Sequence, residues 1–217
     1  MLRLRTVFEK KGRAKYISHL DLNRCMLRTF RRSKLPVWYT EGFNPHPYYS
    51  FALALSLGFE SDCEILDFNL NEDIPFEEVK NRLNAVMPEG MRIISVAEQK
   101  LKITAIAKAE YSFSLVSDDT DTLFKQINSL ISQEEILIEK KTKKGIKTVD
   151  IKPSMEIISC EKNVNSVNLI MRLPAGTQTN YNPTLFIEAL KNTECTDFDV
   201  INMRRTGIFC ENNEKFS

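Results

Sequence analysis

Leu2, Leu4, Thr6 and Phe8 alternate with Arg3, Arg5 and Val7, the period-two pattern of a strand with one buried face. A basic turn around Gly12 follows, and the period then changes. Leu22, Met26 and Phe30 recur every four residues with Leu27 beside them, the apolar stripe of an amphipathic helix. Ser18 stands where an N-cap belongs, Asp21 three positions on completes a short capping box, and Pro36 stops the helix. Two apolar runs then predict strands, Ser50–Leu57 (SFALALSL) and Glu64–Leu70 (EILDFNL), separated by a turn at Gly58–Asp62. Pro75 opens a helix that ends before Pro88, and Met91–Ala97 (MRIISVA) is a further strand.

The same order returns in the second half. Ala109–Ser117 is predicted as a strand, Thr120–Ser132 as a helix and Glu135–Lys140 as a strand, with Lys143–Ile151 as a hairpin tip and short added strand. Met155–Cys160 and Val164–Leu173 are strands, Pro183–Lys191 a helix and Phe198–Phe209 a final strand. The expected fold is α+β, two tandem ferredoxin-like (βαββαβ) halves at residues 1–98 and 109–217, with 99–108 as the junction. The duplication is one of element order only.

Composition narrows the class little. At 217 residues, 42% hydrophobic and 27% charged, the chain can bury a core. No apolar run approaches the roughly 18 residues of a membrane-spanning helix, and no signal-peptide pattern opens the chain, so a cytoplasmic location is expected. The five cysteines, Cys25, Cys63, Cys160, Cys195 and Cys210, are widely and irregularly spaced, which argues against a disulfide framework or a zinc site and for free buried thiols. No CxxxCxxC cluster, P-loop, GxGxxG or GxSxG motif is present, so no cofactor or metal is expected.

Charge changes the picture more. Residues 1–36 hold eleven Lys/Arg against Glu9 and Asp21, a net +9, which leaves −8 for the remaining 19 Lys/Arg and 27 Asp/Glu. Such segregation points to an anionic partner at the N-terminal end. Arg24, Arg28, Arg31 and Arg32 share the outer face of the first helix, and with Lys15 they suit phosphate, which guanidinium groups bind bidentately. Trp38, Tyr39, Phe43, Tyr48 and Tyr49 follow, and rings beside basic groups are the composition of a single-strand nucleic-acid surface. Core packing is the competing assignment for Trp38 and Phe43. The tract Lys140–Lys144 is better read as a solvated hairpin tip, and alternation sends Arg204 and Arg205 to opposite faces of the last strand.

Both histidines sit in the most distinctive stretch. His19 falls at the first helical turn, and His46 lies between Pro45 and Pro47, which limit its backbone freedom. Together with Asp21, Asn44 and Glu64 they are expected to line one cleft, where His19 and His46, with Tyr16, have the chemistry of an acid–base pair. Their spacing fits no compact metal motif.

The residues KYISHLDL, RRSKLP, GFNPHP and LSLGFES, with Glu64 following, and more faintly KTVDIKP and MRRTGIF, resemble the signature of the radical SAM-linked protein family. Those are bacterial domains of unassigned activity, alone or fused behind a radical SAM enzyme domain. The dense resemblance covers residues 8–68, with looser similarity to about residue 209. It implies a radical SAM protein as a partner on a separate chain, which would carry the cluster this sequence lacks. Three roles remain open: an RNA-binding accessory module for an RNA-modifying radical SAM enzyme, without catalytic activity of its own; a metal-independent endoribonuclease resembling the CRISPR repeat-processing enzymes; and a protein adaptor for a radical SAM partner without nucleic acid.

Overall fold

The computed structural model describes residues 1–142, 145–176, 179–193 and 196–216. Lys143 and Lys144 of the lysine tract, and Cys195, lie outside the described residues. The fold is mixed α+β: a large mixed sheet, a separate hairpin and, among the described residues, four α-helices.

Strand β1 (Leu2–Lys10) runs into a 3-10 turn at Gly12–Tyr16 and then helix α1 (His19–Ser33). Next come β2 (Tyr49–Phe51), β3 (Glu60–Leu70), α2 (Phe76–Asn84) and β4 (Met91–Glu98). The second half holds β5 (Ile106–Val116), α3 (Thr120–Ser132), the hairpin β6 (Leu137–Thr142) and β7 (Gly145–Asp150), then β8 (Glu156–Lys162), β9 (Ser166–Pro174), α4 (Thr184–Lys191) and β10 (Asp199–Cys210). The main sheet has the order β4-β1-β3-β10-β5-β9-β8, with β2 also on β3. Among the described strands every pairing is antiparallel except β3 with β10, which run parallel through Glu60–Ser61 and Arg204–Arg205.

Two apolar cores flank that join. Leu22, Met26 and Phe30 of α1 and Val79 and Leu83 of α2 pack with Leu4, Phe8, Leu66, Phe68 and Ile93, the stripe and the alternation meeting as their periods require. The larger core gathers Leu123 and Ile127 of α3 and Phe186 and Leu190 of α4 over Phe113, Leu169 and Met171. The last residues fold back: Phe216 is buried against Arg5, whose guanidinium lies 4.2 Å from the ring centre and pairs with Asp67 at 2.8 Å.

Two expected strands differ. Ser50–Leu57 is strand only as far as Phe51, and β3 begins at Glu60, inside the turn predicted at Gly58–Asp62 and ahead of the strand start predicted at Glu64. The cause is Arg205. Its side chain is fully buried and donates to the carbonyls of Leu53 (3.0 Å) and Ala54 (3.1 Å), so these groups satisfy a guanidinium rather than a strand ladder. It also pairs with Glu64, which is 1% exposed. Burial works against the charge of Arg205, but Glu64, Tyr111 and Cys63 around it hold the group firmly protonated. The second difference is the hairpin β6–β7, which forms its own two-stranded sheet.

Arg204 points elsewhere, to Glu60 at 2.7 Å, as strand alternation requires. Burial pushes the Glu60 carboxyl up, but the Gly12 N–H and Arg204 outweigh it and hold the group below the ordinary glutamate value of 4.5. No described helix is long and apolar enough to cross a membrane. Cys25, Cys63, Cys160 and Cys210 are free thiols, and burial pushes Cys63 up to about 11.

Two expectations follow from the join. Glu64→Leu and Arg205→Met each leave a buried charge without its partner and should each cost about 3–5 kcal/mol in urea unfolding, while the double variant should cost well under the sum of the two. Additive single losses would remove the pair from this role. A carboxyl whose folded pKa is depressed adds stability that is present above its unfolded pKa and lost as pH falls through the folded one. Glu60→Gln should therefore lower stability at neutral pH and flatten its decline below about pH 4.5, checked by thermal melts from pH 7 to 3.

Candidate functional site

Ser18 starts α1 as its composition predicts: its Oγ accepts the Asp21 N–H at 3.1 Å and donates to Asp21 Oδ2 at 2.7 Å. Asp21 Oδ1 also accepts from Arg24 at 3.1 Å, and the Ser18 and Arg24 contacts hold this carboxyl below the usual range. At the other end Lys34 takes a left-handed conformation (φ 55°), and Arg82 of α2 donates to the carbonyls of Ser33 (3.1 Å) and Lys34. A cation thus caps the negative end of α1 and ties α2 to it.

At about 100° per residue, Arg24, Arg28, Arg31 and Arg32 fall within an arc of roughly 100° on the exposed side of α1. Three of them, Arg24, Arg28 and Arg32, line a cleft of about 350 Å³ with Asp21, Cys25 and Thr29. Val86 and Pro88, beyond the end of α2, form its opposite wall. That wall is placed by Gly90, whose carbonyl accepts the Lys11 N–H at 2.7 Å in a left-handed conformation (φ 83°). A Cβ there would lie 2.5 Å from the Lys11 carbonyl oxygen, so glycine is required. Arg31 shares the exposed face without lining the cleft. Asp21 is the one acidic residue of the lining, and among the described residues Arg28, Arg31 and Arg32 form no ion pair. Burial pushes the Cys25 thiol up; Thr29, Arg28 and Arg32 pull it the other way.

The remaining expected site residues do not gather here. Lys15 lies in the 3-10 turn with its ammonium 5.2 Å from the ring centre of exposed Tyr16. His19 is exposed at the start of α1, its ring edge-on to Phe51 at 5.3 Å. His46 belongs to a short hairpin in which Trp38–Thr40 pair with His46–Tyr48. Its Nδ1 sits 3.1 Å from both Thr40 Oγ1 and the Asn44 carbonyl, an arrangement met by an Nδ1–H donor with Nε2 left as an acceptor. The chain after the hairpin places Tyr49 against Asn23 and Phe30 and Phe51 against His19, so it runs along α1 toward its N-terminus and leaves His46 toward the far end. The two histidines touch different neighbours and not each other. Glu64 does not line a cleft, because Arg205 holds it in the core.

The aromatic run divides as well. Tyr49 packs inward on Phe30, and Trp38 is half-buried edge-on to Tyr48, whereas Phe43 is fully exposed. Cys25, Thr29, Val86 and Pro88 escaped sequence reasoning; helical spacing places the first two beside the arginines, but the other two come from α2 packing on α1.

Residues 3–183 match the sequence profile of a family described as "Uncharacterized protein conserved in bacteria (DUF2344)", and the chain belongs to that family. No curated protein matches it. Among solved structures it is similar, at 11% identity and a TM-score of 0.48, to a chain of the "Crystal Structure of a Cbf5-Nop10-Gar1 Complex"; the match covers 94% of this chain and 48% of that one, so this chain spans about half the neighbour's length.

The geometry makes one local expectation. Changing Arg28 and Arg32 to Gln removes the charges that favour the Cys25 thiolate, so alkylation of Cys25 by iodoacetamide at pH 8.5, followed by peptide mass spectrometry, should slow. Because both arginines are exposed, the variant's stability should stay within about 0.5 kcal/mol of the parent. An unchanged alkylation rate would show that the two guanidiniums do not act on the cleft floor.

Proposed function

We propose that this member of an uncharacterized bacterial family is an RNA-binding accessory module that grips phosphates with the exposed arginine face of α1. The observation that carries the reading is the column Arg24, Arg28 and Arg32 along one cleft, opposed there by a single carboxylate that Arg24 already engages. Residues four apart on a helix are about 6 Å apart along its axis, close to the spacing of successive phosphates on one strand. Guanidinium groups stay charged at any working pH and match phosphate in shape. Arg31 widens the basic face beside the column.

The partner in this reading is a radical SAM enzyme that modifies RNA in the cytoplasm, as a separate chain; its support is the SHLD and GFNPHP resemblance alone. We further read residues 1–98 and 109–217 as two ferredoxin-like halves joined by 99–108, of which 106–108 already belong to β5 of the second half. Their strand orders support this, since β4-β1-β3-β2 and β10-β5-β9-β8 are each antiparallel and each place the half's last strand beside its first. An endoribonuclease built on His19, His46 and Tyr16 gains no support from the geometry, because the imidazoles have separate neighbours.

The test is binding of single-stranded RNA across a salt series, for the parent and for a variant with Arg24, Arg28, Arg31 and Arg32 changed to Gln. Each phosphate contact on a single strand contributes about −0.7 to the log–log slope, so losing three or four should flatten it by about 2 to 3. Equal affinity and equal slope in the two proteins would overturn the reading. Salt-resistant co-purification with a protein after nuclease treatment would then assign the basic face to a protein partner.

A further inference from the structure

We propose that the tip of the 38–48 hairpin is a base-stacking site, with the Phe43 ring receiving an unpaired base of the strand whose phosphates lie on α1; the inference rests on the RNA reading above. Phe43 is fully exposed and contributes no packing to either core. Burying a phenylalanine side chain is among the larger stabilising effects open to a fold, so a ring held wholly in water has its use elsewhere. It is not scattered: Tyr39 and Tyr48 on the two arms of the same hairpin are also exposed.

The arms and base of the hairpin are anchored to the fold. Thr40 N–H donates to the His46 carbonyl and Tyr48 N–H to the Trp38 carbonyl, both at 2.9 Å, and the His46 N–H donates to Thr40 Oγ1 at 3.3 Å. Pro45 and Pro47 fix φ on either side of His46, and Gly42 supplies the positive φ (122°) that lets the chain turn before Phe43. At the base, Trp38 N–H donates to the Asn69 carbonyl of β3 at 2.8 Å, and Tyr49 Oη donates to the Asn23 carbonyl of α1 at 2.9 Å.

The chemistry of the tip favours a base over a phosphate or an apolar pocket. The tip, Glu41 to His46, carries no Lys or Arg and includes the Glu41 carboxylate, so it lacks the cationic charge that draws a phosphate backbone. Phosphate affinity belongs instead to the helix on which the hairpin's continuing strand is packed. Asn44 is exposed next to Phe43, and Nε2 of exposed His46 is left as an acceptor, so groups able to meet a base edge flank a face able to meet its plane. Stacking of this kind needs no particular sequence, because every base has a π-face.

The experiment compares two labelled 12-residue oligonucleotides of identical backbone, one carrying bases and one abasic throughout, by fluorescence anisotropy at low salt. The proteins are the parent, Phe43→Ala, Phe43→Trp and Arg28→Gln with Arg32→Gln. Stacking predicts that the parent prefers the base-carrying strand by roughly 5- to 150-fold, that Phe43→Ala abolishes this preference while leaving abasic affinity unchanged, and that Phe43→Trp keeps it. The arginine variant should weaken both oligonucleotides alike. A preference that survives Phe43→Ala, or no preference in the parent, overturns the stacking site while leaving phosphate binding intact. Failure of the parent to bind either strand overturns the RNA reading and this inference with it.

Discussion

A guanidinium with no exposure to water dictates how the two halves of this sheet meet. Arg205 sits on the last strand, yet its counter-charge, the Glu64 carboxylate, and the Leu53 and Ala54 carbonyls to which it donates come from the first half. A buried charge must be paired and hydrogen-bonded or the fold loses several kcal/mol. The parallel ladder between β3 and β10 covers only Glu60–Ser61 and Arg204–Arg205, too short to fix the join through backbone bonds alone. Ion pairs supply what the ladder lacks. Glu64 holds Arg205 inside the join and Glu60 holds Arg204 at its surface.

The same constraint reaches the candidate site. By drawing the Leu53 and Ala54 carbonyls to itself, Arg205 ends β2 at Phe51 and fixes the loop that leads into β3. β2 in turn presses Tyr49 and Phe51 against one flank of α1, while Arg82 of α2 and the Val86–Pro88 wall beyond it close on the other. What remains open between them is the arginine face. The helix is therefore held on three sides by the fold and left to solvent on the side where its charge is concentrated, an arrangement suited to an extended anionic ligand.

Much of this was legible along the chain. The cap at Ser18, the stripe of Leu22, Met26 and Phe30 and the stop before Pro36 delimit α1 because they are local: each depends on residues within one or two turns. The outward arc of Arg24, Arg28, Arg31 and Arg32 follows from the same periodicity. The alternation that separates Arg204 from Arg205 was legible for the same reason, since a strand's period is two wherever it lies.

What the order of residues could not settle was which partner a side chain would find across the sheet. Glu64 follows LSLGFES as closely as any expected cleft residue, but only the approach of β10 turns it into the buried counter-charge of Arg205, a residue 141 positions away. The run SFALALSL has the apolar content of a strand, and a guanidinium from the far end of the chain claims its carbonyls. Phe43 and Tyr49 are six residues apart in one aromatic run; packing on α1 half-buries the ring of Tyr49, and beyond the turn at Gly42 the ring of Phe43 stands in solvent. The sequence by itself determined the helices, most of the strands and the charge of the exposed helical face, because propensity, period and capping act over a few residues. The tertiary structure alone decided which polar groups are buried in pairs, which ring stands in water and that His19 and His46 stand apart, because those outcomes depend on contacts between segments distant along the chain.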